Sequence, residues 1–276
     1  MSWHLNVPKI LHVYWSATPM PYLRYLTVVS FMKYNPDWEV ILWLPKYPYK
    51  VITWETKELN YSTEGITDYF PNLLKLPIQI NYVNLKDFGQ TNEMSEVHKS
   101  DFLRYWILTT YGGVYSDMDI LYFRSIEALH VNSIDHIDKE TFVCISPRYG
   151  HSAGFYMAVK GSLYFKEMFR RVTIDPGKYQ SVGPDAVNKE FPTVSSINKI
   201  SPAVDIGMAA VYMHDAKRVR IIYKSARARF AARSIGCHWY GGDPLSGKFL
   251  NETDGGRINL PNNILTGILI KKNFEL

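Results

Sequence analysis

Asp117 and Asp119 close the stretch YGGVYSDMD (111–119), two carboxylates one residue apart behind a pair of glycines. A D-x-D pair alone is expected about once by chance in a chain of this length, so its surroundings decide its meaning. Here GVYS before it and ILYF after it read as extended apolar segments, which pin both acids at a strand end. Open α/β sheets bind ligands at strand ends. Two hard oxygen ligands so placed suit Mg2+ or Mn2+, which complete an octahedron with water and phosphate oxygens. Two other D-x-D chemistries fit poorly. Aspartyl phosphatases carry Thr or Val where Leu121 stands, and nucleotidyltransferases of the polymerase-β type place their glycine pair further upstream, across a helix.

The elements that must position this pair alternate strand with helix. KILHVYW (9–15) reads as a buried strand, PMPYLRYLTVVSFMKYNP (19–36) as a helix closed by Asn35 and Pro36, and WEVILWLP (38–45) as a second strand, together a βαβ unit. Residues 46–77 have no clear period and read as short helices or loops, and IQINYVNL (78–85) alternates like a strand. Residues 93–110 lack Gly and Pro and space Phe102, Leu103, Trp106 and Ile107 as an amphipathic helix, which Gly112 and Gly113 end. FVCIS (142–146) and GFYMAVKG (154–161) suggest two more strands, with a helix over 162–171. The rest reads as loop-rich except for VRIIYK (219–224). The pattern predicts one α/β domain over 1–276 with a mainly parallel, Rossmann-like sheet flanked by helices.

Composition narrows the partners. With 276 residues, 46% of them hydrophobic, the chain can fill a large core. A net charge of +5 favours anionic partners but is too small and scattered to imply nucleic acid. Cys144 and Cys237 lie far apart and offer neither a disulfide framework nor a CxxC metal site, which points to a reducing compartment. Asn-x-Ser/Thr matches at Asn60 and Asn251 read as coincidence without a secretory signal. No apolar run reaches the ~18 residues of a membrane span, so a soluble, cytoplasmic protein of bacterial, viral or host-cytosol setting is expected. The basic run KSARARFAAR (224–233), with Arg227, Arg229 and Arg233, is either a solvated face or a contact for an anionic acceptor, the donor diphosphate or a phospholipid surface at the membrane periphery.

The stretch SDFLRYWILTTYGGVYSDMDILYF resembles the glycosyltransferases with a DXD-containing sugar-binding region, among them capsule enzymes, α-1,4-galactosyl- and mannosyltransferases and clostridial-toxin glucosyltransferase domains. Their pattern runs S-D-x-x-R-Y, a leucine-rich turn, then Y-G-G-x-Y-x-D-x-D. Ser100, Asp101, Arg104, Tyr105, Tyr111, Gly112, Gly113, Tyr115, Asp117 and Asp119 all fall in place. Weaker echoes are VPKILHVYW, SVGPDAVN and CHWYGG.

The resemblance implies a GT-A fold, with a nucleotide-sugar and metal-binding half at 1–123 and an acceptor-binding half at 124–276. It implies sugar transfer from a nucleotide diphosphate donor, UDP favoured over GDP, to a glycan or other glycoconjugate acceptor with retention at the anomeric carbon. Asp117 and Asp119 would hold Mn2+ or Mg2+, with His238 as third ligand or else a structural histidine beside Trp239. Trp15 would stack on the base or serve as a core tryptophan. His12 would touch donor or be a hydrogen-bonded core histidine. Asp101 and Arg104, three apart on one helix face, and Tyr115 would orient the donor sugar. Gly241 would admit backbone to phosphate, and Lys248 would neutralise it, although Gly241-Gly242 and the lysine spacing depart from a related H-x-x-G-x-x-K pattern. Asp185 would lie near the reacting carbon or else cap a helix; His151, Ser152, Gly154 and Asn188 would border the acceptor. The competing reading is a binding module that has kept the fold and lost turnover.

Overall fold

The computed structural model describes residues 7–16, 19–46, 67–90, 94–129, 136–146, 150–211, 221–226, 230–241, 243, 245–246, 249 and 262–271. The expected βαβ start is present: strand β1 (Ile10–Tyr14), helix α1 (Tyr22–Tyr34) and strand β2 (Glu39–Pro45), with β1 and β2 parallel. Asn35 ends α1 as expected, its backbone and side-chain N–H groups both donating to the Phe31 carbonyl. Its side-chain oxygen accepts from Ile126 N at 2.9 Å, which ties the helix end to a distant loop. Most of 46–77 lies outside the described residues; the described part holds a short helix α2 (Phe70–Leu73) before strand β3 (Gln79–Val83).

Helix α3 (Glu96–Tyr111) starts at Ser95, whose hydroxyl accepts from His98 N, and runs into strand β4 (Gly113–Ser116) with only Gly112 between. That reversal needs glycine. Gly112 and Gly113 hold φ of 69° and 89°, and a Cβ on Gly113 would lie 2.6 Å from the Ile10 carbonyl oxygen. Gly113→Ala is expected to lower stability by about 2 kcal/mol, read as a lower denaturation midpoint at unchanged m-value.

Strands β5 (Ile120–Tyr122), β6 (Thr141–Ser146), β7 (Gly150–Ala158), β8 (Ala203–Asp205) and β9 (Gly236–His238) follow, with helices α4 (Leu163–Arg171), α5 (Pro184–Glu190), α6 (Val194–Ile197), α7 (Ile221–Lys224) and α8 (Ile264–Lys271). The described part of VRIIYK is thus a single helical turn. Among the described residues seven strands form one sheet in the order β3-β2-β1-β4-β7-β6-β8, in which β7 alone runs antiparallel to its neighbours. This is the mainly parallel, helix-flanked sheet that was expected. β1 has β2 on one side and β4 on the other, so the strand order reverses there, and the carboxyl ends of β1 and β4 form the switch point at which open α/β sheets bind ligands.

Strand alternation divides the core between the two faces of the sheet. Leu11, Val13 and Val114 pack with Val28 and Phe31 of α1 on one face, and Trp43, Tyr115 and Tyr156 with Phe102 and Leu103 of α3 and Phe165 of α4 on the other. A third cluster joins Leu23 and Leu26 of α1 to Leu121, Cys237, Trp239, Leu265 and Leu269. It fastens the separate β5–β9 pair to the first helix. Among the described residues no helix is long and apolar enough to cross a membrane.

Candidate active site

Asp117 follows β4 directly and is fixed through its backbone, whose N–H donates to the Gly154 carbonyl at 2.9 Å. Gly154, expected at the acceptor, therefore also braces the acidic motif from β7. Two residues on, Asp119 leads into β5, which pairs antiparallel with β9 so that Ile120 lies opposite His238. This pairing carries His238 across more than a hundred residues of chain to stand with Nε2 3.2 Å from Asp119 Oδ1. The backbone joins there too, because Trp239 N–H donates to the Asp119 carbonyl at 2.9 Å.

Asp117, Asp119 and His238 each present one ligand-type atom within 4.8 Å of the others. Asp119 Oδ2 accepts from Gly241 N at 2.8 Å, whereas Oδ1, equally buried, has no hydrogen-bond partner among the described residues. A buried carboxylate oxygen left in that condition is costly unless something else satisfies it. Two carboxylates and an imidazole converging on one point meet the donor demands of a divalent cation. The two acids are also electrostatically unlike. Burial pushes the Asp117 carboxyl up and Asp119 beside it adds to this, against the pull of Arg104. Burial pushes at Asp119 as well, but His238 and Arg24 outweigh it and hold that carboxyl below the usual range.

Arg104 connects the motif to α3. Its Nη2 lies 2.5 Å from Asp101 Oδ1 and 2.9 Å from Asp117 Oδ1, its Nη1 donates to the Ala153 carbonyl, and its guanidinium lies over the Tyr115 ring, 5.0 Å from the centroid. The i, i+3 spacing of Asp101 and Arg104 does put them together, and the pair is buried. Burial raises the Asp101 carboxyl to about 6, with Arg104 opposing and Asp117 reinforcing the shift. Tyr115 shares its hydroxyl with Ser100 at 2.8 Å. On the far side of Asp101, a Cβ on Gly183 would come within 2.4 Å of its Oδ2, and Tyr105 donates to the Val182 carbonyl at 2.7 Å. The SVGPDAVN segment therefore lies directly against the Asp101–Arg104 face.

Trp15, half-buried just past β1, stands at that switch point. His12 does not, and its expected donor contact is corrected. Its ring is fully buried, Nδ1 accepts from Trp43 Nε1 at 3.1 Å, and Nε2–H donates to the Gly112 carbonyl at 3.0 Å, so both nitrogens are spent on holding the α3–β4 reversal to β1 and β2. Burial drives its pKa down to about 4, which keeps the ring neutral. The sequence reading missed Arg24, on the first turn of α1. Its guanidinium is 4.0 Å from Asp119 Oδ2, 4.9 Å from the Trp239 ring and 5.8 Å from the Trp15 ring. A Cβ on Gly241 would fall 2.1 Å from its Nη2, so the glycine leaves room for the arginine.

Asp185 is exposed in the first turn of α5, which is capped by Gly183, so the cap alternative for Asp185 does not hold. Asn188, one turn on, accepts from His151 N at 2.9 Å and so links α5 to the start of β7. The His151 side chain is buried, and desolvation lowers its pKa. Ser152, next along β7, is half-buried opposite Cys144. Lys248, Gly242, Arg227 and Arg229 lie outside the described residues, as do Asn60 and Asn251.

Residues 23–141 match the family described as "Glycosyltransferase sugar-binding region containing DXD motif". The chain is 24% identical over 198 residues to inositol phosphoceramide mannosyltransferase 1 of Schizosaccharomyces pombe, covering 67% of this chain and 51% of that protein. It thus spans about half the length of the curated relative. Similar solved structures include the PaToxG glycosyltransferase (15% identity, 70% of this chain and 73% of that chain, TM-score 0.43). Another is the galactosyltransferase LgtC in complex with donor and acceptor sugar analogues (14% identity, 91% and 97%, TM-score 0.41). Residues 23–141, in which Asp117 and Asp119 turn toward His238 at the ends of the strands, are thus similar to the glycosyltransferase sugar-binding region that contains the DXD motif.

Proposed function

We propose that the chain is a metal-dependent glycosyltransferase that moves a sugar from a nucleotide diphosphate donor, a UDP-sugar before a GDP-sugar, to a hydroxyl of a glycan or glycoconjugate with retention. The observation that carries this reading is the convergence of Asp117, Asp119 and His238 beside the switch point of the sheet between β1 and β4. Asp117, Asp119 and His238 would hold Mn2+ or Mg2+, whose charge would favour departure of the diphosphate without a protein acid.

The chain's own residues divide the remaining work. Trp15 offers an indole face for the nucleotide base at the end of β1. Arg104 holds the carboxylates of Asp101 and Asp117 on one buried guanidinium, so the sugar-facing acid and the metal-facing acid keep a fixed relation. Tyr115 supports that guanidinium from below. Asp185, exposed on α5, and the His151–Asn188 contact border the acceptor side in this reading, and Lys248 completes the diphosphate contacts. The donor half is 1–123 and the acceptor half 124–276, with His238 returning from the second to the first. A cytoplasmic location goes with it, the basic run serving as a peripheral contact to an anionic surface.

The test is a thermal-shift panel of UDP- and GDP-sugars with and without Mn2+. Ligand at about 100 times its Kd adds about 2.7 kcal/mol to the stability of the folded form, a Tm rise of roughly 5 °C for a chain of this size. A rise with one nucleotide only, and only with metal, is expected. No rise with any donor in either condition would remove the proposal.

A further inference from the structure

Arg24 is a cation on α1, an element outside the DXD motif and its helix, yet its guanidinium reaches the same point as both. Its side chain is 14% exposed, and it stands over the Trp15 ring at 5.8 Å, against the Trp239 ring at 4.9 Å and 4.0 Å from Asp119 Oδ2. Gly241 has no side chain where the guanidinium lies, and its N–H is turned to the same carboxylate oxygen. A nucleotide diphosphate bound with its base at Trp15 and its metal-bound end at Asp119 must pass between those two residues. Arg24 occupies that interval. Its planar fork matches the paired oxygens of a phosphate, and the two flanking indoles limit its rotamers, so less freedom is lost on contact.

We infer that Arg24 is a donor-binding residue that contacts the diphosphate of the nucleotide directly, between the base and the carboxylate cluster, in addition to bracing Asp119. The inference rests on the proposed use of a nucleotide diphosphate donor. It separates Arg24 from a mere counter-charge to Asp119: a diphosphate contact discriminates between nucleotides that carry phosphate and those that do not, whereas a brace acts on the metal site alone.

The experiment is isothermal titration of the full chain, wild type, Arg24→Gln and Arg24→Lys, with Mn2+ alone, with uridine and guanosine, and with UDP and GDP in the presence of Mn2+. Circular dichroism and Tm confirm folding of each variant. The wild type is expected to bind one of the two diphosphates. Arg24→Gln should then weaken that diphosphate roughly tenfold to a hundredfold, the scale of losing a hydrogen bond to a charged group, while affinity for the matching nucleoside and for Mn2+ alone stays within about threefold. Arg24→Lys should recover part of the loss, because charge is kept and the fork is not. If Arg24→Gln and Arg24→Lys, both folded, bind the diphosphate as wild type does, or lose Mn2+ alone by as much as they lose the diphosphate, Arg24 is no phosphate ligand and the inference is overturned. Should Arg24→Gln fail to fold, an Arg24→Lys variant with wild-type diphosphate affinity still overturns the forked contact. A wild type that binds neither diphosphate overturns the donor reading itself, a result distinct from the others.

Discussion

Asp119→Asn is expected to reduce sugar transfer about a thousandfold while leaving the protein folded, because one change of atom type removes a ligand and almost nothing else. The two oxygens of Asp119 have separate duties. Oδ2 accepts from Gly241 N at 2.8 Å, a bond that the asparagine carbonyl can still accept. Oδ1 lies toward His238 at 3.2 Å and is buried without a hydrogen-bond partner among the described residues. In the variant an amide NH2 takes that place, and an amide nitrogen has no lone pair for a cation. The backbone bond from Trp239 to the Asp119 carbonyl is untouched, so the β5–β9 pair should survive and the denaturation midpoint should move little. Transfer assays and a Mn2+ titration on the same preparation check this, with loss of both expected together. Near-wild-type transfer by Asp119→Asn, or loss of transfer with Mn2+ affinity intact, would detach the carboxylate from the role proposed for it.

The elements that bear the DXD motif were legible because their signals are long or stereochemically exclusive. β1 and β2 read as buried strands, α1 and α3 carry helical spacing over three turns or more, and the Gly112–Gly113 pair marks a backbone that other residues cannot follow. Asp101, Arg104 and Asp117 do meet, since i, i+3 spacing and a two-residue reversal leave them little choice. Partners brought by tertiary pairing were harder to see. His238 was named only through the resemblance, because β9, which delivers it by pairing with β5, is three residues long and too short for any period. Arg24 belongs to no motif in the sequence; only Asp119, Trp239 and Gly241, all distant in sequence, reveal why it is half-buried. His12 shows the converse. The resemblance implied a donor contact with a hydrogen-bonded core histidine as the alternative, and the alternative holds through two partners, Trp43 Nε1 and the Gly112 carbonyl, from a neighbouring strand and a helix end that the sequence does not place against it.

Arg104→Met should be the most destabilising substitution in the site, at about 3–5 kcal/mol near neutral pH, the scale for removing one member of a buried ion network. Methionine fills much of the volume over Tyr115, so lost charge and hydrogen bonding, not a cavity, account for the effect. Three groups lose their partner at once: the Asp101 and Asp117 carboxylates and the Ala153 carbonyl. The pH dependence follows from Asp101. Burial already raises this carboxyl to about 6 in the presence of Arg104, which opposes the shift, so removing the guanidinium raises it further. A carboxyl whose pKa is raised on folding leaves the folded state binding more protons than the unfolded one. Its stabilisation is complete below the unfolded value near 4 and is lost as pH rises through the folded value. In wild type that loss falls between about pH 4 and 6; in the variant it extends to higher pH. The deficit of Arg104→Met relative to wild type should therefore be smaller at pH 5 than at pH 8, measured as the difference in urea midpoints at each pH. Arg104→Lys should fall between the two, because one ammonium keeps the charge but cannot span Asp101, Asp117 and Ala153 as the guanidinium does. A pH-independent deficit would mean that the loss comes from packing over Tyr115 and not from the stranded carboxylates.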